Sequence, residues 1–383
     1  MDSSKDSQPQ RRAFQNFEGR RVLVTGHTGF KGAWLSVWLH GLGAEVTGYS
    51  LPSDQKNGVF EAATVSSLLN GDYQADIRDS SALSRVVHET EPEVIFHLAA
   101  QPLVRESYVI PRETHETNYM GTCNLLEAVR TMGRPCAVVV VTTDKCYENQ
   151  EQVWGYREID RLGGHDPYSA SKAAAELVVA SYREAFFSVS ELGKHGVGIA
   201  TARAGNVIGG GDWAKDRIVP DMVRSCLDNR PVTIRNPHAV RPWQHVLEPL
   251  HGYLCIASLL LEGHAPSAAS AWNFGPANEG LRTVGDLVSL FHKLWGAGEW
   301  HQDNFDQPHE TSFLSLAIDK AINHLGWNPT WDFRTTISKT VDWYRTQDQG
   351  DISMLEYCRK DIKNFESLIK NGNSGVFSVL NAA

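Results

Sequence analysis

Short runs of consecutive apolar and β-branched residues alternate with helically spaced apolar positions through the first half of the chain. Arg20-Arg21-Val22-Leu23-Val24-Thr25 reads as a buried strand. Lys31 to Leu42 then carries Trp34, Leu35, Trp38, Leu39 and Leu42 at helical spacing. Glu45-Val46-Thr47-Gly48-Tyr49, Val94-Ile95-Phe96-His97-Leu98, Ala137 to Thr142 and Val197 to Arg203 repeat the strand pattern. Helical stretches lie near Ser81–Glu89, Thr114–Met132 and Ser169–Phe187. This alternation predicts an α/β fold, a Rossmann-type doubly wound parallel sheet with helices on both faces.

Beyond about Arg203 the pattern turns irregular. Gly209-Gly210-Gly211 and several prolines break it, and clear helical spacing returns only at Gly285–Trp295 and Phe333–Arg345. A smaller, mostly C-terminal substrate-binding lobe is expected here. The expected organisation is a disordered tail over residues 1–18, a dinucleotide-binding domain over 19–205, a lobe over 206–370 that partly returns to the first domain, and a C-terminal tail over 371–383.

Composition narrows the class. The chain has 383 residues, 42% of them hydrophobic, and no apolar stretch approaches a membrane span. The polar N-terminal segment lacks the apolar core of a secretory signal. Six scattered cysteines form no Cys-x-x-Cys pair and no His-Glu-x-x-His occurs, so neither a metal site nor a disulfide framework is expected. A reducing cytoplasm fits that cysteine usage best. A formal charge of −9 argues against a nucleic-acid partner.

The first strand runs into Gly26-His27-Thr28-Gly29-Phe30-Lys31-Gly32 and then a helix. Glycines at this strand–helix junction let the backbone approach a pyrophosphate, and the helix start offers free N–H donors. At the end of strand two, where an acidic residue often binds the adenine ribose, stand Tyr49-Ser50-Leu51. Ser50 offers a hydroxyl without charge, so the turn leaves NAD and NADP open. Asp76 and Ile77, after a short strand, are placed to contact adenine.

Of eleven tyrosines only Tyr168 has a lysine, Lys172, four residues later. On a helix the two share one face. The ammonium can lower the phenol pKa, and a tyrosinate can take an alcohol proton while hydride leaves the same carbon. The strand Ala137–Thr142 ends in Thr143-Asp144-Lys145, at the sheet edge where ligands bind. An acid and an amine there add proton-transfer chemistry beyond hydride transfer. Residues 203–241 carry seven basic and four acidic side chains, a local positive excess suited to a pyrophosphate substrate. Arg217, Arg235 and Arg241 are the candidate donors.

Taken together, Gly26–Gly32, Leu98-Ala99-Ala100-Gln101, Thr143-Asp144-Lys145 and Tyr168/Lys172 resemble the extended short-chain dehydrogenase/reductases that act on sugar nucleotides. Thr-Asp followed by an acid/base residue is similar to the 4,6-dehydratases among them. Lysine in third place, where most have glutamate, is similar to the branch acting on CDP-glucose. So are Gly205-Asn206-Val207-Ile208-Gly209-Gly210-Gly211-Asp212-Trp213 and Arg241-Pro242-Trp243-Gln244-His245-Val246-Leu247-Glu248-Pro249-Leu250. The resemblance spans about residues 17–365.

It implies an NAD cofactor held by Gly26, Thr28, Gly29, Phe30, Lys31, Gly32, Ser50, Asp76, Ile77, Leu98, Ala99 and Ala100, with Tyr168 and Lys172 beside it. Gln101, Asn206, Arg217, Arg235 and Arg241 would hold CDP-glucose. Thr143 would bind a substrate hydroxyl, Asp144 would be the acid at C6 and Lys145 the base at C5. Gln307-Pro308-His309-Glu310 would lie near the pocket. The family further implies a homodimer or homotetramer, paired through helices such as Thr114–Met132 and Ser169–Phe187, and a place in deoxysugar and polysaccharide biosynthesis. A sugar-nucleotide 4-epimerase shares the turn and the Tyr/Lys pair but needs no Asp144–Lys145 chemistry. A non-catalytic dinucleotide-sensing protein needs neither pair.

Overall fold

The computed structural model describes residues 13–277, 280–302 and 313–372. The main sheet has seven parallel strands: β1 (Arg21–Thr25), β2 (Glu45–Ser50), β3 (Gly71–Gln74), β4 (Val94–His97), β5 (Cys136–Val141), β6 (Val197–Ala204) and β7 (Ala271–Phe274), in the order β7-β6-β5-β4-β1-β2-β3. The order reverses between β1 and β4, which opens a crevice at the strands' carboxyl ends.

Both faces are covered, which explains the unbroken apolar runs. Leu23, Ile95, Val138 and Val140 point to one side, against helices α2 (Ser80–Thr90), α3 (Gly121–Met132) and α4 (Pro167–Ala185). Val22, Val24, Phe96, Val139 and Val141 point to the other, toward α1 (Phe30–Gly41) and α6 (Leu247–Leu261). Among the remaining helices, α5 (Ile218–Leu227) and α7 (Val284–Trp295) lie in the lobe after β6, while α8 (Phe333–Gln349) and α9 (Met354–Lys370) close the chain. Helix α6 lies on β5 and β6, β7 pairs with β6, and α9 packs against α1.

Two differences from the sequence reading have physical causes. The expected tail to residue 18 is too long: Ala13, Phe14 and Phe17 are buried, and the Phe14 ring stacks on Trp38 at 6.0 Å. Helix α6 was hidden in the irregular half. Thirteen of its fifteen residues are buried, so it is apolar all round and shows no amphipathic period. Among the described residues no helix is long and apolar enough to cross a membrane, and no cluster of three metal-ligating side chains occurs.

Candidate active site

A single cavity of about 1690 Å³ lies along the carboxyl ends of the strands. A pocket for one drug-sized ligand is commonly ~300–1,000 Å³, so this one has room for two. One end is the glycine turn. Gly26 has φ +74°, and a Cβ there would stand 2.7 Å from the Ala99 nitrogen. A Cβ on Gly32 would come within 2.1 Å of the Gly26 carbonyl oxygen, so only glycine lets α1 start this close to β1. Gly29 caps α1 without any side-chain hydrogen bond. The first-turn N–H groups of α1 therefore remain for an anion.

Beyond the turn, the Thr28 and Ser50 hydroxyls meet at 2.9 Å, and Thr28 also donates to the Leu51 carbonyl at 3.0 Å. Both residues line the cavity. Asp76 accepts from the Arg78 guanidinium at 2.6 and 3.0 Å, which holds its carboxyl below the usual range. These features fit a dinucleotide: a bare helix start for the diphosphate, hydroxyls and a carboxylate for the adenosine, and Leu98, Ala99 and Ala100 along the floor.

The middle of the cavity carries the chemistry. Asp166 caps α4, accepting from the Ser169 N–H at 2.9 Å and its hydroxyl at 2.6 Å, so Tyr168 stands in the first turn. Burial pushes its phenol up to about 12, opposed by the Thr143 hydroxyl and more weakly by Arg217. Lys172 donates to the Val141 carbonyl at 3.3 Å, and burial brings it down to about 8. The phenol is thus supported mainly by Thr143 rather than by Lys172, contrary to the simplest reading of the Tyr/Lys pair.

Asp144 is 1% exposed, and burial raises its carboxyl above the usual range. One oxygen accepts from the Thr143 hydroxyl at 3.1 Å; the other has no hydrogen-bond partner. That second oxygen fills the space beside Gly205, where a Cβ would stand 1.8 Å from it. A buried carboxyl whose neutral form is favoured is suited to act as an acid. Lys145 lines the same cavity and is exposed. Burial acts instead on Lys31, brought down to about 7 with help from Arg217 and Lys172 and against Asp144.

The far end of the cavity belongs to the second lobe. Asn206, Arg217, Arg235 and Arg241 all line it. Arg217 bonds Asp212 at 2.7 Å and Arg235 bonds Asp216 at 3.0 Å. Asn206 adopts a left-handed φ of +42° at the turn out of β6. Trp243 lines the wall, but its indole donates to the Arg282 carbonyl at 3.1 Å, as a structural tryptophan does. Gln101 is the one sequence-chosen site residue outside the lining. Its side-chain amide donates to Leu103 and Thr114, and its backbone N–H donates to Asn118 at 2.8 Å. Asn118 in turn donates to Ser171 of α4, so Gln101 buttresses the helix that carries Tyr168. The segment 307–310 lies outside the described residues.

Beneath Lys172 sits a group that motif reading passed over. Glu176 accepts from Thr142 at 2.5 Å, Thr201 at 2.7 Å and the Arg203 guanidinium at 2.7 Å. Burial opposes its charge, yet Arg203 and the threonines outweigh it and hold the carboxyl low. Arg203 also donates to the Tyr147 hydroxyl at 2.7 Å. It is therefore no substrate ligand, although the local charge count includes it. A signal was present: Glu176 follows Lys172 by four residues on the same helical face.

Comparison with known proteins agrees with this geometry. The family model described as GDP-mannose 4,6 dehydratase matches residues 23–266. CDP-glucose 4,6-dehydratase of Salmonella typhimurium is 48% identical over 355 residues, covering 92% of this chain and 98% of that protein. A probable dTDP-glucose 4,6-dehydratase of Sinorhizobium fredii is 25% identical and covers 85% of this chain and 92% of its own. Among solved structures, the dTDP-glucose 4,6-dehydratase DesIV of Streptomyces venezuelae has a TM-score of 0.72 at 24% identity, covering 88% of this chain and 99% of that one. The family match takes in the glycine turn, Thr143-Asp144-Lys145 and the Tyr168/Lys172 pair, and the chain belongs to the sugar-nucleotide 4,6-dehydratases of the extended short-chain dehydrogenase/reductase family.

Proposed function

We propose that this chain is an NAD-dependent hydro-lyase that converts CDP-glucose to CDP-4-dehydro-6-deoxy-glucose and water. The carrying observation is a buried acid, Asp144, that accepts from the Thr143 hydroxyl and lines the same cavity as Tyr168. A 4-epimerase has no use for an acid there. A non-catalytic reader of dinucleotides has no use for either group.

NAD, held by the glycine turn of Gly26, Gly29 and Gly32, would supply the hydride acceptor for C4 and the hydride donor for C6, with no net change of oxidation state over a cycle. Tyr168 takes the proton of the C4 hydroxyl. The ketone so formed acidifies the C5 hydrogen, which Lys145 removes, its amine being buried by the arriving sugar. Asp144 protonates the departing C6 hydroxyl, and Lys145 returns its proton to C5. Lys172 holds positive charge beneath the phenol. Arg217, Arg235 and Arg241, with Asn206, meet the substrate diphosphate and sugar.

Six free cysteines and the absence, among the described residues, of a membrane-crossing helix fit a cytoplasmic enzyme. Self-association through α3, α4 and the turns before α3 is supported by exposed Tyr119, Met120 and Leu177 on that face. Incubation of the purified protein with CDP-glucose and NAD should yield a 4-keto sugar with an alkaline chromophore. CDP-galactose as the sole product would place the chain with the epimerases, and unchanged substrate would leave only the binding reading.

A further inference from the structure

The two residues assigned to elimination stand on a segment that holds itself weakly. Asp144–Cys146 is one short helical turn. Its own hydrogen bonds are long: the Lys145 N–H reaches the Thr143 hydroxyl at 3.3 Å, the Cys146 N–H the Thr143 carbonyl at 3.4 Å and the Tyr147 N–H the Asp144 carbonyl at 3.5 Å. Ordinary N–H···O bonds span about 2.7–3.2 Å. An acid and a base must nevertheless keep fixed places against C6 and C5, since a misplacement of about 1 Å can cost about 10²-fold in rate.

Both ends of the turn are held from outside it. Upstream, the Thr142 N–H donates to the Ala202 carbonyl at 2.9 Å and its hydroxyl donates to Glu176 at 2.5 Å. Downstream, the Tyr147 hydroxyl accepts from Arg203 at 2.7 Å and donates to Asn273 of β7 at 2.8 Å, with the guanidinium over its ring at 4.9 Å. Glu176 and Arg203 bind each other at 2.7 Å, so one buried ion pair reaches both ends. Asp144 itself rests on Gly205, two residues beyond Arg203. On the dehydratase reading given above, we propose that Glu176, Arg203 and Tyr147 are positioning residues for elimination: the ion pair, through Thr142 and Tyr147, fixes Asp144 and Lys145 against the sugar.

The two ends are unequal, and the difference separates the half-reactions. Thr142 and Thr143 continue directly from β5, so the sheet places the Thr143 hydroxyl whatever happens downstream. Past Lys145 the backbone pairs with a loop: the Gly163 N–H donates to the Cys146 carbonyl and the Glu148 N–H to the Arg161 carbonyl, both at 2.9 Å. From there the Tyr147 hydroxyl carries the tie to β6 and β7. Tyr147 lines the cavity wall, but its hydroxyl is engaged by Arg203 and Asn273, so it acts through the turn. Loss of that hydroxyl loosens Asp144 and Lys145 and leaves Tyr168 and Thr143 in place. Elimination then suffers more than C4 oxidation, a split that a residue of merely structural weight does not produce.

The test compares wild type, Tyr147→Phe, Arg203→Lys, their combination and Tyr156→Phe, each loaded with NAD, mixed rapidly with CDP-glucose and followed by nicotinamide absorbance. Tyr147→Phe keeps the ring stacked on Tyr156 at 5.2 Å, and Arg203 keeps the Glu158 carbonyl at 3.1 Å, so the fold persists. C4 oxidation should run at the wild-type rate while elimination slows by about 10-fold or more, so reduced nicotinamide builds up in the first turnover. CDP should bind this variant as it binds wild type. Arg203→Lys keeps the charge facing Glu176 but replaces the fork that serves Glu176 and Tyr147 together, and should show the same build-up. The combination should slow elimination no more than the stronger single variant, because both remove one tie. Tyr156→Phe removes a buried hydroxyl that bonds Asn149 and Gln150 instead of the ion pair, and should show no build-up. Tyr147→Phe alone decides the matter where Arg203→Lys fails to fold. No build-up in Tyr147→Phe, equal slowing of both half-reactions, additive slowing in the combination or the same build-up in Tyr156→Phe would overturn the proposal, while an active wild type keeps the dehydratase reading. A wild type that makes no 4-keto sugar would overturn both.

Discussion

Tyr168→Phe is expected to reduce turnover of CDP-glucose by about 10²–10⁴-fold, the usual loss when a general base is removed. The ring sits 8% exposed in the first turn of α4 and keeps its packing without the hydroxyl, so the fold should persist. C4 oxidation is the first step, hence no enzyme-bound reduced nicotinamide should appear on rapid mixing. Asp144→Asn should behave differently. The amide preserves shape but cannot deliver a carboxylic proton, so C4 oxidation proceeds in pre-equilibrated enzyme while water loss stalls. Absorbance near 340 nm should then rise to about one equivalent per site and persist. Lys145→Met should give the same trace if Lys145 takes the C5 proton, and Lys31→Met should not. Normal elimination by both Asp144→Asn and Lys145→Met would make those residues structural and favour an epimerase.

Arg203→Met is expected to cost about 3–5 kcal/mol of stability, the range for removing one partner of a buried ion pair. Glu176 is left among Thr142 and Thr201 with its charge uncompensated. Its carboxyl is held low in the folded chain, so the stabilisation is complete above the unfolded carboxyl value of about 4.3 and is lost as pH falls through the folded value. The gap between wild type and variant should therefore narrow in acid. Denaturant midpoints at neutral and acidic pH measure this. Glu176→Gln combined with Arg203→Met should recover part of the loss, because no uncompensated charge remains. A neutral-pH loss below ~1 kcal/mol would assign the pair the weight of an exposed ion pair.

How much of this was readable depended on whether a residue's role is set locally. The strands β1, β4, β5 and β6 announce themselves because burial on both faces leaves runs with few polar residues. The glycine turn and Tyr168/Lys172 are readable because turn sterics and helical spacing act over a few residues. Helix α6 was missed because full burial erases the periodicity that marks a helix. Phe14 and Phe17 were lost in a polar segment whose two rings dock on the core. Charge counting grouped Arg203 with Arg217, Arg235 and Arg241, yet only burial on β6 beside Glu176 assigns it to an ion pair. Likewise sequence could place Lys145 next to Asp144 but could not tell that burial would bring Lys31 down to about 7 and leave Lys145 exposed. Gln101 sits beside the floor residues in sequence, but its amide turns into the loop.

The central claim is an internal redox cycle in which hydride leaves C4 and returns at C6. CDP-glucose carrying deuterium at C4 tests it most directly, with product analysed by NMR and the solution followed near 340 nm. The label should appear at C6 of the 4-keto-6-deoxy product, with no net reduced nicotinamide accumulating over many turnovers. Loss of the label into the nicotinamide pool, with one equivalent of reduced cofactor per product, would contradict it and identify a simple dehydrogenase.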